Sequence, residues 1–367
     1  MFQRCLLAVL ALAFLAVPAR AEPRKYTYLE AGVDGALKYL AGAQNQDGSW
    51  ASGVRFGPGG GTSEPAVTAL CVMAFLSAGH VPGEGPYAAN IEKGVRYVCS
   101  QQQQNGLFSA AQFGMTMMYS HGICTLMVAE VVGLMPDRKE AAALRARLIA
   151  AVQLIRTAQC RVPGDRGWRY QINPQNSDMS VTGWQIMALR AAKNVGCDVP
   201  SSVVENAVDY INNSRDKRTG AYRYLRNGPP TVPCTGAAVL ALELIDSKFH
   251  KSEESYESAR FIKSQLEFSG GFGQHFFYGV YYTSQAMFQV GGDYWTWYRN
   301  KYLHPLLLAE RGNAVQKPGG FWEGVSGDDR QAGVNYCTAM AVLSLTVEYR
   351  FLPIYQRDEE SEEREGK

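Results

Sequence analysis

A glycine followed within two residues by an aromatic side chain recurs six times along the chain. The units are Gly48-Ser-Trp50, Gly106-Leu-Phe108, Gly167-Trp168, Gly220-Ala-Tyr222, Gly271-Phe272 and Gly320-Phe321. The aromatic positions fall 58, 60, 54, 50 and 49 residues apart, so the repeat spans almost the whole sequence. Periods of this size mark stacked or ring-closed supersecondary units, because one such unit cannot bury its apolar face alone. The flanks repeat as well. An amphipathic helical pattern precedes each glycine, over 36–44, 91–101, 151–159, 204–212, 256–265 and 298–310. A polar loop follows each aromatic, and then a more apolar helix with small residues near its start. Threonine holds one slot at these starts in five units, as Thr68, Thr182, Thr235, Thr283 and Thr338; His121 takes it in the second.

Twelve helices in six hairpins follow from this pattern. The second helix of each pair is apolar nearly all round and should be buried on most sides, whereas the first should show one face to solvent. No strand-like alternation recurs. The expected fold is all-α: an α6/α6 toroid with inner and outer barrels, in preference to an open solenoid, since neither end carries a polar capping repeat.

Outside the repeats, Met1–Arg4 is a positive start, Cys5–Val17 an apolar run and Ala19-Arg20-Ala21 a cleavage signature, which together read as a signal peptide over 1–21. The toroid domain is expected over 22–356 and a disordered acidic tail over 357–367. The segment Pro353-Ile354-Tyr355-Gln356 is expected to dock and close the ring. The 46% apolar composition provides ample core. The leader carries two of the 36 basic side chains, so the mature chain balances its 34 acids. That neutrality argues against nucleic acid or an anionic membrane as the main partner, and the apolar run of the leader is short for a membrane span. The expectation is a secreted or periplasmic protein. Seven cysteines remain after cleavage; Cys160 and Cys197, in loop-like segments, are the one disulfide candidate. No zinc-type cluster, nucleophile elbow, His-Glu-x-x-His or dinucleotide fingerprint occurs, and the glycine-rich 56–62 stretch lacks the lysine of a phosphate loop. No metal and no cofactor is expected.

The turn Gln44-Asn-Gln-Asp47-Gly48-Ser49-Trp50 resembles the QW-type repeat of squalene and oxidosqualene cyclases. Gly270-Gly271-Phe272 and Gly319-Gly320-Phe321 are similar to turns of protein prenyltransferase β subunits. Over residues 30–350 the chain resembles secreted bacterial prenyltransferase/squalene-oxidase repeat proteins of that α/α-toroid superfamily. The resemblance implies a central cavity for an apolar, isoprenoid-like ligand. It departs from the family where catalysis lies. Asp178-Met179-Ser180-Val181-Thr182 puts a serine at the cyclase proton-donor position, no Asp-x-Cys zinc motif occurs, and Cys337 stands where the prenyltransferase histidine would be.

Equivalent repeat positions should share one height on the ring. Glu64 and Asp178 each precede the repeat threonine by four residues and His121 replaces it, so the three form a candidate acid–base set at one rim. The alternative is that the two carboxylates only cap their helices. Trp184, Tyr119, His275, Tyr282 and Tyr336 are candidates to line an aromatic cavity mouth, or simply to pack the barrel. Three functions stay open: apolar-ligand toroid, non-catalytic scaffold or protein-interaction module, and carbohydrate-active α/α barrel using rim carboxylates and aromatic platforms.

Overall fold

The computed structural model describes residues 27–53, 63–110, 117–269, 272–308 and 315–355. The expected leader, the acidic tail and the glycine-rich 56–62 stretch lie outside the described residues. Helices α1 (Tyr28–Ala43), α3 (Ala88–Ser100), α5 (Arg138–Ala158), α7 (Ser201–Asn213) and α9 (Glu253–Ser269) alternate with α2 (Glu64–Ser77), α4 (Met117–Val132), α6 (Met179–Asn194), α8 (Val232–Ile245) and α10 (Phe276–Val290). The sixth outer element is broken into α11 (Gly292–Tyr298), a π-helical turn at Arg299–Leu303 and α12 (His304–Leu307). A short α13 (Gly327–Ala332) then leads into the last inner helix, α14 (Val334–Leu345).

The second helices form a closed ring. Helix α2 packs on α4, α4 on α6, α6 on α8, α8 on α10, α10 on α14, and α14 back on α2. Every residue of α2 after Glu64 is buried, as the all-round apolar pattern requires, while α3 and α7 bury one stripe each. The seam closes where α1 meets α14 and the Gln316 side chain donates to the Gly32 carbonyl at 2.7 Å. The fold is therefore the expected α/α toroid.

The repeat threonine has a definite task. Its hydroxyl accepts the backbone N–H of the turn aromatic: Trp50 to Thr68, Trp168 to Thr182 and Tyr222 to Thr235, all at 3.0 Å. Three indoles also tie the turn back to the outer helix, Trp50 to the Leu40 carbonyl, Trp168 to Ile155 and Trp322 to Leu307. This corrects the sixth unit. Trp322, not Phe321, fills the repeat position, since it is Trp322 that donates to Thr338 and is fully buried. The glycine is required at Gly48 and Gly320, with φ of 92° and 88°; a Cβ there would sit 2.4 Å from the Lys93 carbonyl oxygen and 2.2 Å from that of Gly35.

Side chains fill the middle of the barrel. Trp184 of α6 stacks on Tyr281 of α10 at 5.5 Å and 8°, reaching past α8, which stands between those helices in the ring. Below them, Tyr355 meets Tyr281 through their hydroxyls at 3.2 Å, and the Ile354 N–H donates to buried Glu130 at 3.3 Å. The 353–355 turn thus seals the lumen at the C-terminal ends of the inner helices and not the seam of the ring, which α1, α14 and Gln316 close. The disulfide candidate is also corrected. All seven described cysteines are free and buried, and Cys160 and Cys197 lie beyond opposite ends of the 16-residue α6, a span of about 24 Å.

Candidate functional site

The rim formed by the N-terminal ends of the inner helices carries the polar chemistry. Loops there hand over from one unit to the next. The Met118 N–H at the start of α4 donates to the Tyr170 carbonyl in the third loop, and the Met179 N–H at the start of α6 donates to Tyr224 in the fourth. These backbone bonds fix Tyr170 and Tyr224 above the helix starts.

Asp178 stands at the centre as the N-cap of α6, fully buried. Its Oδ1 accepts from the Val181 N–H at 2.8 Å and from the Ser180 hydroxyl at 2.6 Å, and Ser180 in turn accepts from the Tyr119 hydroxyl. The other oxygen, Oδ2, has no hydrogen-bond partner among the described residues, and the Arg169 Nε lies 4.0 Å from it. Burial pushes the Asp178 pKa up; the Ser180 and Val181 bonds and the Arg169 charge pull against it without reversing it. Around this carboxyl, Tyr119 and Tyr170 stack at 5.9 Å, the Arg169 guanidinium lies over Tyr170, and the Tyr170 and Tyr224 hydroxyls bond each other. All three tyrosines and Arg169 keep part of their surface in solvent. Burial raises the Tyr119 pKa, with Asp178 adding to the shift, so its phenol stays a donor.

The other expected residues are placed apart from this cluster. His121 is fully buried in the threonine slot; its Nδ1 accepts the Phe108 N–H at 3.1 Å and its Nε2 meets the Ala151 carbonyl at 3.1 Å. Both ring nitrogens are therefore engaged in the frame, and burial lowers the pKa to about 4. Glu64 opens α2 and takes the Tyr97 hydroxyl at 3.4 Å. Trp184 and Tyr282 lie in the packed lumen, edge to face at 5.5 Å. Exposed His275 pairs with Asp328 at 2.7 Å and abuts Tyr278, while Tyr336 is partly exposed at the start of α14. Among the described residues no group of three His, Cys, Asp or Glu side chains is placed to hold a metal ion.

Arg169, Tyr170 and Tyr224 were not singled out in the sequence, although a signal was there. Both tyrosines stand two residues after the turn aromatic, Trp168 or Tyr222, so reading the loops in register from the aromatic would have found them.

No family model and no curated relative matches the chain. Solved structures do. An inactive variant of the GH76A α-1,6-mannanase of Salegentibacter sp. HEL1_6, in complex with α-1,6-mannotriose, has a TM-score of 0.64 at 10% identity, covering 89% of this chain and 100% of that one. A glycoside hydrolase family 76 mannosidase from Bacteroides thetaiotaomicron gives 0.58 at 11%, covering 93% and 100%. A sugar epimerase from a ruminal bacterium gives 0.59 at 10%, covering 88% and 99%. At such identities the likeness is one of fold. These neighbours are carbohydrate enzymes, which overturns the resemblance to terpenoid cyclases and prenyltransferases and, with it, the apolar-ligand function. The physical reason lies in the turns. A left-handed glycine and an aromatic bonded to a threonine hydroxyl are what this chain's helical hairpins need to close a toroid, whatever ligand the toroid takes.

Proposed function

We propose that the protein is an exported, carbohydrate-recognising α/α toroid whose ligand sits on the rim beside Asp178. The single observation that carries this reading is the split between the two oxygens of that carboxyl. Oδ1 accepts two hydrogen bonds, so a proton on the neutral acid resides on Oδ2, the oxygen with no partner. A neutral carboxyl in that state would donate to a sugar hydroxyl or glycosidic oxygen, which reaches the enclosed Oδ2 only when the side chains over it part. Tyr119 and Tyr170, partly exposed and stacked on each other with the Arg169 guanidinium over the Tyr170 ring, present aromatic surface and a cation to a pyranose. The mannotriose complex of a protein with the same fold supports the ligand class. Glycosidases ordinarily pair two carboxyls. Among the described residues the groups bonded or ion-paired to the Asp178 side chain are Ser180, Val181 and Arg169, and the proposal is recognition assisted by this one acid.

Calorimetric titration of residues 22–367 with a panel of neutral and charged oligosaccharides tests it. At least one glycan should bind, and Tyr170→Ala should weaken it about tenfold or more while the protein still unfolds cooperatively. A folded wild type that binds nothing in the panel, or whose affinity neither Tyr170→Ala nor Asp178→Ala changes, overturns the reading.

A further inference from the structure

Charge is unevenly distributed around the ring. The loops of the third and fourth units, residues 159–178 and 214–231, hold Arg161, Arg166, Arg169, Arg215, Lys217, Arg218, Arg223 and Arg226 against three acids, Asp165, Asp178 and Asp216. The corresponding stretch 101–116 of the second unit has no charged residue, and 308–333 of the sixth has three bases against four acids. In a chain whose mature charge is balanced, such segregation places a positive field over one sector of one rim. It is the sector that contains Asp178.

Several of these cations are not consumed internally. Arg215 is paired with Glu257 and Arg223 with Asp216, and Arg169 is held by Asn176 and lies near Asp178. Arg166 bonds only the neutral amide of Asn206, and exposed Arg161, Lys217 and Arg226 have no ion pair among the described residues. The Arg226 guanidinium leans across to Gly164 of the neighbouring loop, so the two basic loops adjoin. Beside them lie two surface clefts of about 470 Å³ each, which share Thr157, Gln159 and Arg161; one adds Arg156 and Arg166, the other Asn173 and Gln175 of the loop leading to Asp178. Guanidinium groups with amides between them fit regularly spaced carboxylate or sulfate groups and the hydroxyls beside them.

We infer that the glycan recognised at this rim is anionic: a polysaccharide bearing carboxylate or sulfate groups, read by Arg161, Arg166 and Arg226 while Tyr170 and Asp178 hold a sugar ring. This rests on the carbohydrate reading of the same site and names its substrate class. Affinity electrophoresis and titration with four probes test it: polygalacturonate, dextran sulfate, uncharged dextran and single-stranded DNA. At low salt polygalacturonate or dextran sulfate should bind, and the stronger of the two identifies the anionic group. Binding should weaken steeply as salt shortens the screening length. The Arg161→Gln/Arg226→Gln pair should lose about tenfold or more in affinity, and Arg226→Lys should recover part of it. Tyr170→Ala should weaken the acidic glycan but not DNA. Dextran bound as well as the charged polymers, with the arginine variants unchanged, overturns the anionic inference and leaves the carbohydrate reading standing. DNA bound as tightly as either acidic glycan, with Tyr170→Ala indifferent, overturns both, because the patch then answers to charge alone.

Discussion

His121 tests the frame most sharply, because it is a titratable group in a slot that other units give to threonine. Its Nδ1 accepts the Phe108 N–H and its Nε2 N–H faces the Ala151 carbonyl, an arrangement open only to the neutral ring. Protonation would put a second N–H against the Phe108 amide in a fully buried site. The pKa accordingly falls from 6.5 to about 4. Since the folded value is below the unfolded one, the unfolded chain takes up the proton first. Stability from this site is whole above pH 6.5 and is lost as the pH falls through 4. Between pH 7 and 4.5 the loss works out at about 2.5 kcal/mol, from a shift of about two and a half pH units at 1.36 kcal/mol each and the fraction titrated. Replacing His121 with threonine restores the acceptor used in other units and removes the proton site. Urea unfolding of wild type and His121→Thr at both pH values should therefore give stability curves that diverge by that amount, with the variant flatter in acid. Parallel curves would refute the assignment of His121 to the frame, as would a histidine resonance at this site titrating near 6.5.

The remaining predictions concern the lumen and the turns. Burial raises the pKa of Glu130 to about 8. Its contribution is whole below pH 4.5 and is lost as the pH rises through 8. Glu130→Gln should flatten the alkaline side of the thermal-stability profile, and a profile unchanged between pH 5 and 9 would contradict the assignment. Nearby Tyr281 and Tyr355 face the same carboxyl and are themselves pushed up by burial, so they stay neutral across that window. Thr182→Val keeps the shape but orphans the buried Trp168 N–H, at a cost of about 1–3 kcal/mol in denaturant unfolding. Thr283→Val should cost much less, because the Thr283 hydroxyl has no hydrogen-bond partner among the described residues. Gly320→Ala should be the most damaging single change in the turns, above about 3 kcal/mol, since its Cβ would collide with the Gly35 backbone at the ring seam.

The fold could be read from the sequence because its rules are local and repeated. Helical period, a left-handed glycine and a turn aromatic each leave a mark within a few residues, and six copies made the marks visible. What could not be read was which neighbour each helix start would borrow from. Tyr170 belongs to the third unit but lies over the start of α4, and Tyr224 belongs to the fourth but lies over α6. That handover depends on how far each loop reaches around the ring, a tertiary quantity with no local signature. His121 shows the same limit from the other side. As an imidazole among threonines it looked like chemistry, while the task of the slot, accepting one backbone N–H, appears only once the turn is folded against the helix.

Asp178 joins what the sequence presented as alternatives, a helix cap or a functional carboxylate. The cap uses Oδ1 alone, and Oδ2, enclosed and without a hydrogen-bond partner among the described residues, is the atom left over. Both roles are therefore open to substitution. Asparagine caps helices as well as aspartate. Asp178→Asn, with its amide oxygen in the place of Oδ1, should keep the Val181 and Ser180 bonds and most of the stability, and it puts an N–H2 donor in the place of Oδ2. Asp178→Ala removes the cap as well and should cost about 1–2 kcal/mol in addition. If the asparagine protein melts and binds as the wild type does, its amide donating in place of the acid, and the alanine protein loses both cap and glycan, both roles belong to this one side chain. If the asparagine and alanine proteins bind glycan as wild type does, and only the alanine protein is destabilised, Asp178 is a cap and nothing more, and the acid must be sought elsewhere on the rim.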